Sequence, residues 1–302
     1  MGHRYNIARL LHVLALAMIV LLLLSCRFFP SDGEPGKRSP AVETAGKTDK
    51  TTIVFEEPNL PEPRDTAAAE TGGQGSVARG AQEGRPRIAI IIDDMGYHQQ
   101  IGRRLIGLEL DLTFSFLPKA PYTKTQEELA WEKGRDVMLH LPMQARDPAV
   151  NPGPGALYRH YSRQRIQTLI AEDLKSVPHA IGSNNHMGSR FTEDRAAMHE
   201  VLAVLRKKGL FFVDSYTTAA STGLDEARRM GVPTARRHVF LDNVLDEKKI
   251  CRQLDRLVAL AREKGWAIGI GHPHLATLNA LTDCGPTIQA RVQVVGVHAL
   301  VR

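Results

Sequence analysis

The sequence predicts an α/β fold, a closed or nearly closed barrel of about seven parallel strands, and three observations predict it. From residue 87 onward, short aliphatic runs alternate with stretches of helical periodicity, the order that parallel pairing through right-handed crossovers requires. The strand runs, such as Ile88 to Ile92, are continuously apolar, as in a sheet covered on both faces. Several of these runs stop at acids or histidines, and in parallel α/β architectures reactive residues gather where strands end.

The chain has 302 residues, 43% of them hydrophobic, which suffices for at least one well-packed domain and excludes a disordered or fibrous protein. Its formal charge is +6, but Lys and Arg are interspersed with acids and no zinc-finger or aromatic RNP run occurs, so no nucleic-acid partner is expected. The basic balance favours at most anionic envelope polymers or lipid surfaces.

Arg4 and Arg9 precede an apolar run from Leu10 to Leu24, the order of charge and hydrophobicity in an export signal. As a helix that run reaches only about 22 Å, short of a hydrocarbon core of about 30 Å. Residues 1–26 therefore read as a signal peptide, with an uncleaved membrane anchor as the alternative. Leu23-Leu24-Ser25-Cys26 is similar to a bacterial lipoprotein signal with Cys26 as the lipidated residue. Residues 27–86 turn to Pro, Gly, Glu, Thr and Ser without periodicity, a disordered linker that lets a domain stand away from a membrane. The expected location is exported, periplasmic or envelope-attached, with membrane contact only through the N-terminal segment.

Residues 87–302 form the expected domain. Ile88 to Ile92 is its first strand and ends in Asp93 and Asp94; His98 to Leu108 follows at helical spacing. Asp111 to Leu117 is a strand, Tyr122 to Lys133 a helix, and Val137 to Leu141 a strand carrying His140. After a Pro/Gly-rich loop, Ser162 begins a helix to about Ser176, and a short strand from Ala180 to Asn184 leads into NNHMGS. Thr192 is expected to cap a long helix that stops at Gly209. Leu210 to Asp214 is a strand, Asp225 to Met230 a helix, His238 to Asp242 a strand, and Asp246 to Lys264 the clearest amphipathic helix. Ala267 to Gly271, the turn GHPH, a last helix from Leu275 to about Leu281 and an apolar tail complete the chain. Cys251 and Cys284 are either a disulfide of an oxidising compartment or two buried thiols.

A barrel would bring Asp93, Asp94, His140, His186, Asp214, His272 and His274 to one rim, with Asn184 and Asn185 beside His186. Neighbouring side chains on a strand point to opposite sides, so one acid of the Asp93-Asp94 pair faces the site while the other braces it. A carboxylate with two imidazoles and open positions is the ligand set of a catalytic zinc or similar divalent ion. Each residue has a plainer use: His140 as a core histidine, Asn-Asn-His as a polar turn, Asp214 as a cap. Their coincidence at strand ends favours a site.

IIDDMG from Ile91, TFSFLP from Thr113, HLPMQ from His140, NNHMGS from Asn184, VDSYT from Val213 and IGHPH from Ile270 resemble, in order, the divergent polysaccharide deacetylases, relatives of the carbohydrate esterases with a NodB-type domain. The resemblance covers residues 87–302. It implies a distorted barrel holding a divalent metal, usually zinc, by Asp-His-His, and hydrolysis of N- or O-acetyl groups on an acetylated polysaccharide. Residue by residue, it implies Asp94 and His140 as metal ligands, Asp93 as catalytic base and His272 as catalytic acid. The better-known deacetylases carry a histidine where this chain has Gln144, so His186 is assigned as third ligand, and NNHMGS replaces their Arg-Pro-Tyr motif. Asp214 is given an orienting role in catalysis, and Asn184, Asn185 and His274 contact with substrate. The alternative is a catalytically inactive envelope protein that binds glycan or a cell-wall enzyme through the same cleft.

Overall fold

The structure is a computed structural model and describes residues 84–302. The signal or anchor of residues 1–26, Cys26 and the linker up to residue 83 lie outside the described residues. Nine strands form one sheet: β1 (Arg87–Met95), β2 (Thr113–Phe116), β3 (Val137–Met143), β4 (Gly182–Met187), β5 (Phe211–Asp214), β6 (Thr234–Arg236), β7 (Val239–Phe240), β8 (Trp266–Gly271) and β9 (Gln293–Val294). Between them run α1 (Gln99–Ile106), α2 (Thr123–Glu132), α3 (Arg163–Asp173), α4 (Arg195–Lys207), α5 (Gly223–Met230), α6 (Glu247–Lys264) and α7 (Leu275–Arg291). The spatial order is β6-β5-β4-β3-β2-β1-β8-β7, with β9 against the start of β1, and every ladder is parallel. This is the distorted NodB-like barrel that the sequence leads one to expect. Two of the strands, β6 and β9, are too short for periodicity to reveal.

The distortion lies at one seam. β6 and β7 end the strand order, yet only Arg237 and His238 separate them in the chain. The Arg237 N–H donates to Asp214 O at 3.0 Å and the next N–H, of His238, donates to Ile268 O at 2.9 Å. Adjacent residues thus bond to opposite edges, and the chain itself bridges the gap. Arg237 is buried and donates through its guanidinium to the carbonyls of Ser215 and Tyr216 while lying over the Phe240 ring.

Strand parity sorts the core into two. Ile88, Ile90, Ile92, Phe114, Leu139, Leu141, Phe212 and Leu241 point outward and pack under the helices. Ala89, Ile91, Met138, Val213, Ala235, Ile268 and Ile270 point inward and meet Val297 and Leu300 of the C-terminal tail, which fill the barrel from below.

Two helix ends differ from expectation. Asp194, not Thr192, caps α4, accepting from the Ala196 and Ala197 N–H groups at 3.1 Å, because the helix begins only at Arg195; the Thr192 hydroxyl donates to the Gly188 carbonyl instead. α7 continues through Pro286 to Arg291 instead of stopping near Leu281. Tertiary contacts hold it there: Cys284 is in a disulfide with Cys251 of α6, and Gly285 and Ile288 are buried. The disulfide resolves the choice between paired and free cysteines. Among the described residues no helix is long and apolar enough to cross a membrane.

Candidate active site

Above the apolar interior, the same inward parity carries polar residues. Continuing upward from Ala89 and Ile91 comes Asp93; from Met138, His140; from Ile268 and Ile270, His272. In β4, Asn184 and His186 share that face. A register shift between Ile92 and Met95 interrupts the β1–β2 ladder, and Asp94 takes a left-handed backbone with φ +52°. Such a bulge re-aims side chains. Its result corrects the expectation of opposed neighbours: Asp94 Oδ1 lies 3.0 Å, and Asp93 Oδ2 3.7 Å, from the same atom, His140 Nε2.

Asp94, His140 and His186 form one cluster of ligand atoms. His186 Nδ1 is 2.9 Å from Asp94 Oδ1, yet neither Asp94 oxygen is in a hydrogen bond of acceptable geometry, and His186 Nε2 is also buried without a partner. Three buried donor groups that converge without satisfying one another fit a cation better than a hydrogen-bond network. Burial opposes ionisation of Asp94, but the attraction of His186 and His140 outweighs it and holds the carboxyl far below its ordinary pKa. Gln144 is not among these ligands; its Oε1 accepts from the Arg159 N–H at 3.1 Å.

Asn184 organises the centre. Its Oδ1 accepts from Ser115 Oγ at 2.6 Å and lies 2.8 Å from His140 Nδ1, while its Nδ2 donates to both Asp93 oxygens at 2.7 and 3.0 Å. An amide oxygen only accepts, so His140 donates to it from Nδ1, and Nε2 is the ring nitrogen turned toward Asp94. Burial raises the Asp93 pKa; His140, His272 and the Asn184 amide offset part of that rise, and Asp94 adds to it.

On the other side, Asp242 accepts from the His272 N–H at 2.6 Å and from Thr277 Oγ1 at 2.7 Å, and lies 2.9 Å from His272 Nδ1. Burial works against this carboxylate, but His272 and Thr277 hold its pKa below the ordinary value. Asp242 was not singled out in the sequence. The signal was present, since HVFLD ends in an acid just as IIIDD does.

Three expected roles do not fit. Asp214 has outward parity, and its carboxylate accepts from Ser221 Oγ and from the Tyr216 and Leu224 N–H groups, ordering the turn into α5 and no site residue. Asn184 is fully buried and engaged as above, and Asn185, also buried, uses its amide on the Ser215 N–H and the Met187 carbonyl, so neither presents an exposed group to substrate. His274 is half-buried at the start of α7, its ring centroid 6.1 Å from that of His272, and lies within the cluster of Asp242 and His272.

A parallel barrel with an inward-facing carboxylate–imidazole centre on its C-terminal rim is thus the class of molecule that fold and site define. The chain belongs to the divergent polysaccharide deacetylase family, whose model matches residues 90–301. It is 34% identical over 216 residues to an uncharacterized protein of Haemophilus influenzae, covering 72% of this chain and 77% of that one. To the uncharacterized protein YibQ of Escherichia coli K12 it is 34% identical over 197 residues, which are 65% of this chain and 61% of the relative. The crystal structure of an uncharacterized protein from Agrobacterium tumefaciens C58 superposes with a TM-score of 0.70 at 26% identity, over 74% of this chain and 92% of that one.

Proposed function

We propose that the protein is an exported, divalent-metal-dependent hydrolase, with zinc as its metal, that removes acetyl groups, as amide or ester, from an acetylated glycan of the cell envelope. The observation that carries this reading is the meeting of Asp94, His140 and His186 with two proton-handling groups, Asp93 and the Asp242–His272 pair. Membership of the deacetylase family supports the acetylated glycan, and the signal-like N-terminus supports the envelope. Asp94 with the two imidazoles would hold the cation, which when bound supplies Lewis acidity, polarising an acyl carbonyl and making water acidic near neutral pH.

Asp93 is the general base. Burial raises its pKa, which suits a carboxylate that must take a proton from water, and the Asn184 amide aims it. His272 is the acid: Asp242 fixes its Nδ1 proton and stabilises the imidazolium, leaving Nε2 to protonate the departing nitrogen or oxygen. His274, on the same turn, contacts the substrate.

Zinc-loaded full-length protein is expected to release acetate from N-acetylated oligosaccharides, to lose that activity to a chelator, and to lose about a hundredfold or more in Asp93→Asn. Asp94→Ala and His186→Ala should lower the metal content by elemental analysis. If neither N- nor O-acetylated oligosaccharides yield acetate and chelator changes nothing, the protein instead only binds glycan or a cell-wall enzyme.

A further inference from the structure

A second set of one carboxylate and two imidazoles stands on the rim, just beyond the ends of β7 and β8. Asp242, His272 and His274 offer ligand atoms that all lie within 4.8 Å of one another, the same donor types as Asp94, His140 and His186. The turn His272-Pro273-His274 brings the imidazoles together: the His274 N–H donates to the His272 carbonyl at 2.7 Å, and the ring centroids are 6.1 Å apart. Asp242 and His272 are buried and His274 is half-buried, the outer member of the set.

The two sets differ in what a cation would have to displace. Neither Asp94 oxygen has a hydrogen-bond partner, whereas Asp242 spends one oxygen on the His272 N–H and Thr277 Oγ1 and sets the other 2.9 Å from His272 Nδ1. Ligand atoms bonded to one zinc at about 2 Å stand about 3.3 Å apart, so an ion entering between Asp242 and His272 needs them to part only slightly. It displaces the Nδ1 proton to solvent, however, and the N-terminus of α7, capped by His274, opposes a cation. Both effects make this the weaker of two sites.

We infer that Asp242, His272 and His274 form a second, inhibitory metal site, filled by divalent cation in excess over the ion at Asp94. An ion there separates His272 from the carboxylate that orients it and takes the ring out of proton transfer. The inhibition rests on the acid role given to His272 above; the site itself does not. A chelator draws off the weaker ion first, so affinities measured by competition at one equivalent of metal belong to the Asp94 site.

The test is equilibrium dialysis of the full-length protein against rising free zinc, with bound metal read by elemental analysis. A second ion is expected, held at least about tenfold more weakly than the first because it gives up charge-assisted hydrogen bonds. His274→Ala should keep the first ion and lose the second, and Asp94→Ala should do the opposite, whereas His160→Ala, which removes an exposed imidazole outside the set, should keep both. One ion at saturation, a second ion that survives His274→Ala, or loss of both in that variant overturns the inference. Acetate release is measured in parallel at one equivalent of zinc and with the second site filled, where it is expected to fall about a hundredfold or more, the contribution of a general acid. Release undiminished by the second ion overturns the inference as well. A second ion that His274→Ala removes, with no release at any zinc level, leaves the site standing and removes the hydrolase reading; release with a single ion at saturation does the reverse.

Discussion

Asn184 is the residue on which the centre turns, because one amide group faces both His140, a proposed metal ligand, and Asp93, the proposed general base. Its oxygen sets the tautomer of His140 and its nitrogen holds Asp93, so a single truncation releases two functional side chains. Asn184→Ala is expected to weaken metal binding about 10–100-fold, as loss of an outer partner of a ligand does, and to lower kcat as well. Competition with a chromophoric chelator measures the first effect and acetate release the second. Asp242→Asn should leave metal affinity unchanged while lowering kcat by about a hundredfold or more, because the substituted amide permits the wrong His272 tautomer. A metal affinity that falls in step with kcat would contradict the separation of the two arms.

Between elements, the outer layer is fastened by a covalent bond and a buried acid. The disulfide joins α6 to α7 across 33 residues, and closing a loop of that size stabilises a fold by about 3–4 kcal/mol in the chain-entropy account. Denaturant unfolding of Cys251→Ala/Cys284→Ala should show that loss, and reductant should destabilise the natural protein but not the variant. Glu226 of α5 is fully buried and gathers Arg229, His199 and Arg195 from α5 and α4. The Arg229 guanidinium, with His199 and Arg195, outweighs burial and pulls its pKa down to about 2. A carboxyl depressed in the folded state stabilises fully above its unfolded pKa and loses that contribution as pH falls through the folded value. Glu226→Gln should therefore lower Tm at pH 7 by about 2–4 °C, with the deficit shrinking between about pH 4.5 and pH 2. A deficit independent of pH would show that packing, not charge, is what the substitution removes.

At the scale of the whole molecule the barrel interior has two storeys, aliphatic below and polar above, and the lower storey supports the upper. The C-terminal tail completes that floor: Val297 and Leu300 are buried against Ile91, Ile268 and Ile270, two and four residues below Asp93 and His272 on the same strands. Leu300→Ala should cost about 2–5 kcal/mol on denaturant unfolding, as large-to-small changes in a closed core do. A cost under about 1 kcal/mol would mean that the tail lies on the barrel rather than in it.

The alternation of strands and helices, the parallel barrel and most of the rim chemistry were legible in the chain, since ionisable groups at the ends of apolar runs have no packing reason to be there. His140, His186, His272 and the Asp93-Asp94 pair stood out for that reason. The run HVFLD ends in Asp242 as plainly as LFFVD ends in Asp214, yet only the first of these acids faces a histidine of the rim. What the sequence by itself determined was which strands end in reactive groups. Which of those groups face one another was left to the tertiary structure. In strands buried on both faces the inward and outward positions are equally apolar, so alternation carries no sign of the inner side; closure of the sheet and the bulge at Asp94 select it.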